Sequence, residues 1–75
     1  MTLEDLFSRV LNLPREAIND DVSQDNTREW DSMRHLELIT AIEQEFATKL
    51  STRDIYTLKS IGQVRQSLRK KGIAV

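Results

Sequence analysis

The chain has 75 residues and no cysteine, so neither a disulfide nor a thiolate metal site can support its fold. Proline occurs once, glycine twice, and aromatic residues make up 5% of the chain. No apolar run approaches the roughly 20 residues of a membrane span. Residues 1–5 lack the basic and apolar segments that begin a secretion signal. We therefore expect one cytoplasmic domain, residues 1–75, with no membrane span and existing as a monomer.

Charge is nearly balanced overall, at −1, but it is unevenly distributed. Between residues 16 and 45 only Arg28 and Arg34 are basic, whereas the acidic residues are Glu16, Asp20, Asp21, Asp25, Glu29, Asp31, Glu37, Glu43 and Glu45. From residue 46 onward Asp54 is the one acid, against the bases Lys49, Arg53, Lys59, Arg65, Arg69, Lys70 and Lys71. An acidic middle segment repels nucleic acid and attracts basic protein surfaces.

Apolar spacing predicts helices and no strands. A first helix follows the capping pair Thr2 and Asp5 and ends before Pro14. Residues 15–31 are predicted to form a long surface loop with a turn near 16–19. Within this loop we expect only Ala17, Ile18 and Val22 to face inward. A second helix spans residues 32–48. We predict that its inner face contains Met33, Leu36, Ile39, Ala41, Ile42 and Phe46, with Leu38 on the flank.

Two further helices complete the expected fold. Ser51 and Asp54 cap a short helix over residues 52–57, which buries Ile55 and Tyr56. Ser60 and Gln63 cap the last helix, whose inward residues are Ile61, Val64 and Leu68 and which ends near Gly72. The predicted fold class is all-α: a small four-helix bundle of three longer helices and one short one.

Ser32 is the candidate functional residue, because it stands at the start of the second helix after the long polar loop. Free backbone N–H groups and the helix dipole favour an anion there, such as a covalently attached phosphate. A serine in this place is also a common helix cap. Ser32 differs from the other caps in having His35, not an acid or amide, three residues further on.

A catalytic triad of Ser32, His35 and Asp31 matches the residue types but not the required geometry. His35 follows on the same helix, so its ring lies beside the serine, and the chain offers no glycine nearby for an oxyanion hole. His35, the only histidine, is expected to be exposed and is a poor metal ligand. The sequence predicts neither an enzyme nor a metal site.

These residues resemble the acyl carrier protein family. The segment Asp31-Ser32-Met33 followed by Leu36-Glu37-Leu38-Ile39 and Ile42-Glu43-Gln44-Glu45-Phe46 is similar to that family's attachment motif and the acidic helix after it. The resemblance extends over the chain length, the helix order and the long first loop. It implies that Ser32, with Asp31 as its motif neighbour, carries 4′-phosphopantetheine, whose thiol holds acyl or aminoacyl groups as thioesters.

The resemblance also implies the partners: a phosphopantetheinyl transferase and acyl-activating ligase or synthase enzymes. We expect them to contact Met33, Arg34, His35, Glu37 and Glu43. Met33 replaces the family's usual leucine, and Arg34 with His35 departs from its usual acidic or neutral first turn. The Met33 change is mild. Arg34 with His35, together with the near-neutral total charge and the basic C-terminal half, favours a dedicated carrier of a specialised pathway (fatty-acid or polyketide-like) over a housekeeping fatty-acid carrier.

Three alternatives remain open at this point. They are a peptidyl carrier of nonribosomal-peptide-type synthesis, an unmodified helical adaptor that binds partners through its acidic face, and a DNA-binding bundle, which the acidic second helix disfavours. A separate hypothesis is that the bundle shelters an acyl chain in a gap between helices. The side chains expected to line that gap are Phe7, Leu36, Ile39, Ile55, Ile61 and Val64.

Overall fold

Four α-helices build the protein, as the sequence predicts. The computed structural model describes residues 1–75. Its helices are α1 (Leu3–Leu11), α2 (Ser32–Glu45), α3 (Thr52–Thr57) and α4 (Ile61–Lys70), with a 3₁₀ turn at Arg15–Ala17. The fold class is therefore a small all-α bundle without strands. None of the helices is both long and apolar enough to cross a membrane.

α1 begins with the predicted capping pair. The Thr2 hydroxyl accepts a hydrogen bond from the Asp5 amide at 3.1 Å, and the Asp5 carboxylate accepts one from the Thr2 amide at 3.4 Å. Its buried stripe consists of Leu3, Leu6, Phe7 and Leu11. The helix ends at Leu11 because Asn12 takes a left-handed conformation, with φ of 56°.

The buried face of α2 differs from the predicted one. Met33 is 72% exposed and Leu36 is 60% exposed, so assigning them to the core was wrong. The side chains that do face inward follow the i, i+3, i+4, i+7 spacing of one helical stripe: His35, Leu38, Ile39 and Ile42. α2 also ends at Glu45 rather than at residue 48, because Ala47 adopts a positive φ of 50°.

The long loop before α2 is tied to the start of α4. The Ile61 amide donates to the Val22 carbonyl at 3.0 Å, and the Gln24 amide donates to the Lys59 carbonyl at 2.8 Å. Ile18 and Val22 are buried as predicted, whereas Ala17 is exposed. The loop is thus anchored over part of its length.

The two C-terminal helices begin where their caps predict. Ser51 and Asp54 form a reciprocal capping pair at α3, and the Ser60 hydroxyl accepts from the Gln63 amide at α4. The inward face of α4 is Ile61, Val64 and Leu68, as expected. On α3, Tyr56 is 73% exposed, contrary to the prediction that it is buried.

Arg65 joins three parts of the molecule. Its guanidinium donates to the Asp20 carboxylate of the loop at 3.0 and 3.1 Å and also pairs with Glu4 of α1. Burial works against the charge of Arg65, but its hydrogen bonds to Asp20 and Glu4 raise its pKa. A backbone N–H at the start of α1 lowers the pKa of Glu4, opposed by burial and assisted by Arg65.

Candidate functional site

Asp31, not Ser32, caps α2. The Asp31 backbone is extended, and its carboxylate Oδ1 accepts a hydrogen bond from the Arg34 amide at 2.9 Å. Ser32 is therefore the first residue inside the helix, and its side chain is exposed. Because the neighbouring carboxylate performs the capping role, the Ser32 hydroxyl is available at the surface.

The start of α2 is a favourable place for a phosphate. The first intrahelical bond of α2 runs from the His35 amide to the Asp31 carbonyl at 2.9 Å, so the amides of Ser32 and Met33 precede it and point out of the helix end. The first turn has no acidic side chain and contains Arg34. Helix dipole and open amides both favour an anion on the Ser32 oxygen. These residues therefore fit a phosphodiester.

The expectation that His35 is exposed was wrong. His35 is 9% exposed, and both ring nitrogens have partners: the Trp30 indole N–H donates to Nδ1 at 3.0 Å, and Nε2 lies 2.6 Å from the Ile55 carbonyl oxygen. A hydrophobicity pattern places histidine outside, but here a donor and an acceptor satisfy the buried ring. His35 is thus engaged away from Ser32, and a Ser32–His35 catalytic pair is not formed.

Arg34 and Glu43 also have partners within the chain. Arg34 donates to the Val10 carbonyl of α1 at 2.7 Å, and its guanidinium lies 3.7 Å from Glu37. The Glu43 carboxylate accepts from the Leu50 amide at 2.8 Å and so supports the connection between α2 and α3. Both side chains are half-buried. Their predicted partner contacts would compete with these internal bonds.

Met33 and Glu37 stay exposed on the outer face of α2. They line a shallow groove together with Leu36, Thr40, Ala41 and Gln44. Exposed large apolar side chains beside a carboxylate are typical of a surface that contacts other proteins. Of the five predicted contact residues, these two remain freely accessible.

Trp30 is the main site residue that sequence reasoning missed. It is 2% exposed, and its ring meets Phe7 edge to face at a centroid distance of 5.3 Å. Its amide donates to the Thr27 carbonyl at 3.0 Å. A large aromatic residue directly before the motif was the available signal, since tryptophan in so small a core is rarely left in solvent. Trp30 fixes the point at which the loop enters α2.

Together these features define a class: small helical proteins that present one serine on the first turn of a capped helix. A family model described as "Phosphopantetheine attachment site" matches residues 2–68. The chain therefore belongs to the acyl carrier protein family, and its cofactor is phosphopantetheine.

The solved structures agree with this assignment. A structure described as an acyl carrier protein from Mycobacterium tuberculosis is 27% identical to this chain, with a TM-score of 0.80 over 93% of this chain and 99% of that one. The solution structure of a holo acyl carrier protein from Nitrosomonas europaea is 24% identical, with a TM-score of 0.77 over 92% of this chain and 89% of that one, and shows the shared fold. The sequence has no match among curated proteins.

Proposed function

We propose that Ser32 is the residue that carries the 4′-phosphopantetheine arm. The observation that supports this most directly is the exposed Ser32 side chain at the first position of α2, next to the capping Asp31. Ser32 lies within the matched family region. Asp31 contributes by capping α2, so that the hydroxyl is free for modification.

The modification needs an exposed oxygen nucleophile and a base supplied from outside. The Ser32 oxygen attacks the β-phosphorus of coenzyme A, its proton passes to a base of the transferase, and the bond to 3′,5′-adenosine diphosphate breaks. The open amides of α2 then stabilise the phosphodiester anion on Ser32. Once attached, the arm offers a thiol for thioester formation. His35 takes no part as a base, because Trp30 and Ile55 engage its ring.

We infer a carrier without catalytic activity that serves a specialised pathway, fatty-acid or polyketide-like. The near-zero net charge and the cationic Arg34 in the first turn of α2 support this over a housekeeping fatty-acid carrier. A peptidyl carrier is the second candidate. An unmodified adaptor is the third, favoured only by the exposed groove of Met33 and Leu36. We place the protein in the cytoplasm as a monomer of one domain.

The proposed partners are a phosphopantetheinyl transferase and an acyl-activating ligase or synthase. Met33, Leu36 and Glu37 support a docking surface that combines apolar contact with attraction to basic residues. Arg34 would adjust the charge of this surface, since it lies beside Glu37. Nucleic acid is not an expected partner.

Mass spectrometry tests the attachment residue. The protein is incubated with coenzyme A and a broad-specificity phosphopantetheinyl transferase, and the intact mass is measured. We expect a gain of one phosphopantetheine in the wild type and in Ser67→Ala, a matched variant of a serine on α4, but none in Ser32→Ala. No gain with several transferases would contradict the proposal and favour the adaptor.

A further inference from the structure

His35 joins three separate parts of the site through its ring. The side chain leaves α2, accepts from Trp30 at the end of the loop and meets the backbone of Ile55 in α3. The imidazole and indole planes lie within 24° of each other, with the ring centroids 6.0 Å apart. One buried ring therefore connects α2, the helix that begins with Ser32, to α3.

The hydrogen bonds fix which ring nitrogen carries the proton. An indole nitrogen can only donate, so Nδ1 of His35 must be the acceptor. Nε2 then carries the hydrogen and donates to the Ile55 carbonyl at 2.6 Å. The neutral ring satisfies a donor on one side and an acceptor on the other.

Moving α3 away from α2 would disrupt this arrangement. Such a separation breaks the bond between Nε2 and the Ile55 carbonyl. The Nε2 hydrogen and the carbonyl oxygen then both face the gap between the helices. A hydrocarbon chain cannot replace either bond, so its entry leaves both groups unsatisfied. Trp30 already fills the space beside the ring and packs against Phe7.

The depressions beside Ser32 and along α4 do not replace that gap with an apolar one. The depressions that flank the start of α2 and α4 are lined mainly by polar side chains. The groove of Met33 and Leu36 lies on the outer face of α2, away from the buried stripe. A chain attached through Ser32 therefore meets water or the outer face of α2.

We propose that His35 is a positioning residue that keeps α3 closed on α2, so that this carrier holds its cargo outside the helical core. The cargo class that suits such a carrier is a short or polar acyl or aminoacyl group, because a long alkyl chain would stay at the surface, in water or against the outer face of α2. This inference rests on the attachment proposed at Ser32. It replaces the expectation of an acyl chain sheltered among Phe7, Ile39 and Val64.

The test compares cargo lengths on the modified protein. A broad-specificity transferase loads non-hydrolysable acetyl and decanoyl analogues from the corresponding coenzyme A derivatives, and intact mass confirms loading. The single tryptophan gives one indole N–H resonance, which reports on the Trp30–His35 bond. We expect this resonance and the Ile55 amide to be the same with both cargoes. We also expect no rise in the thermal midpoint from acetyl to decanoyl.

Variants of His35 show whether this residue is what keeps the cargo outside the helical core. In His35→Ala we expect the decanoyl form to shift the Ile39 and Val64 methyl resonances and to melt at least about 4 °C above the acetyl form. If His35→Ala fails to fold, His35→Leu is measured in its place, because it also removes both hydrogen bonds of the ring. Lys71→Gln is the matched control, since it removes a different contact to α3, the 3.5 Å ion pair of Lys71 with Asp54, and should behave like the wild type.

Three results overturn the inference, each in a different way. A decanoyl chain that moves the indole resonance and stabilises the wild type shows sheltering in the core, while the attachment at Ser32 stands. If the His35 variants respond to cargo length no more than the wild type does, His35 is not the residue that keeps α3 closed on α2. Failure to load Ser32 at all rejects the proposed function itself and, with it, this inference.

Discussion

The indole nitrogen of Trp30 donates to Nδ1 of His35 at 3.0 Å, and both rings are buried. Trp30→Phe keeps an aromatic ring but removes the donor, leaving Nδ1 unpaired in the core. We expect the free energy of unfolding to fall by about 1–3 kcal/mol. Urea denaturation followed by far-UV circular dichroism measures it. Tyr56→Phe is the control, because its exposed ring should keep stability within about 0.5 kcal/mol. Equal losses in both variants would contradict a structural role for the bond.

Two variants of Asp31 distinguish its role as a helix cap from the role of its negative charge. Asp31→Ala removes the acceptor of the Arg34 amide and should cost about 1 kcal/mol of stability. Asp31→Asn keeps an acceptor and should stay within about 0.5 kcal/mol of the wild type. Modification rates of the two variants then show whether a transferase needs the cap or the charge. A stable Asp31→Ala protein would contradict the capping role.

A variant of Leu36 tests whether the outer face of α2 is a docking surface for partner enzymes. Because the side chain is 60% exposed, Leu36→Ser should change the unfolding free energy by no more than about 0.5 kcal/mol. We expect a slower transfer of cargo to the protein by its partner enzyme, measured by intact mass over time. Lys70→Gln, an exposed change on α4, is the control. An unchanged transfer rate would show that this face is not a docking surface.

Glu43 is expected to support the α2–α3 connection rather than a partner. Glu43→Gln keeps an acceptor for the Leu50 amide, whereas Glu43→Ala leaves that amide unsatisfied and should cost about 1–2 kcal/mol. Chemical denaturation distinguishes the two variants. If Glu43→Gln is as stable as the wild type but is loaded more slowly, the carboxylate does take part in partner binding.

Acid should destabilise the protein through three carboxylates. Backbone and side-chain hydrogen bonds lower the pKa of Glu4, of Asp5 beside Thr2, and of Asp54 beside Ser51. A lowered pKa in the folded state contributes stability above the unfolded pKa, and this is lost as pH falls. Urea midpoints should therefore be flat from neutral pH to about 5 and decline toward about 3. Asp54→Asn should flatten part of that decline; an unaltered slope would contradict the linkage.

Much of the fold could be read from the sequence because its signals are local. Thr2 with Asp5 and Ser51 with Asp54 lie three residues apart, and each pair marked the correct helix start. Ser32 stays a prediction as the attachment residue, made from its place after the loop. The short-range pattern of caps therefore predicted the order and starts of the helices.

The parts that could not be predicted depend on contacts between distant residues. Arg34 reaches the carbonyl of Val10, and His35 reaches that of Ile55. Both bonds join different helices, so spacing along α2 gives no sign of them. The polarity of His35 suggested an outward side chain, while the apolar Leu36 suggested an inward one. The hydrogen bonds of its ring hold His35 inward, and Leu36, the next residue along the helix, then faces outward.

The ties between the loop and the start of α4 have a consequence for folding order. The Val22 carbonyl and the Gln24 amide obtain their partners from residues 59–61, well beyond α2. Closing contacts over such a separation in sequence is slow compared with forming a single helix. The segment that leads to Ser32 therefore reaches its final shape late. On a ribosome, that serine would gain its full support only after the residues of α4 have emerged.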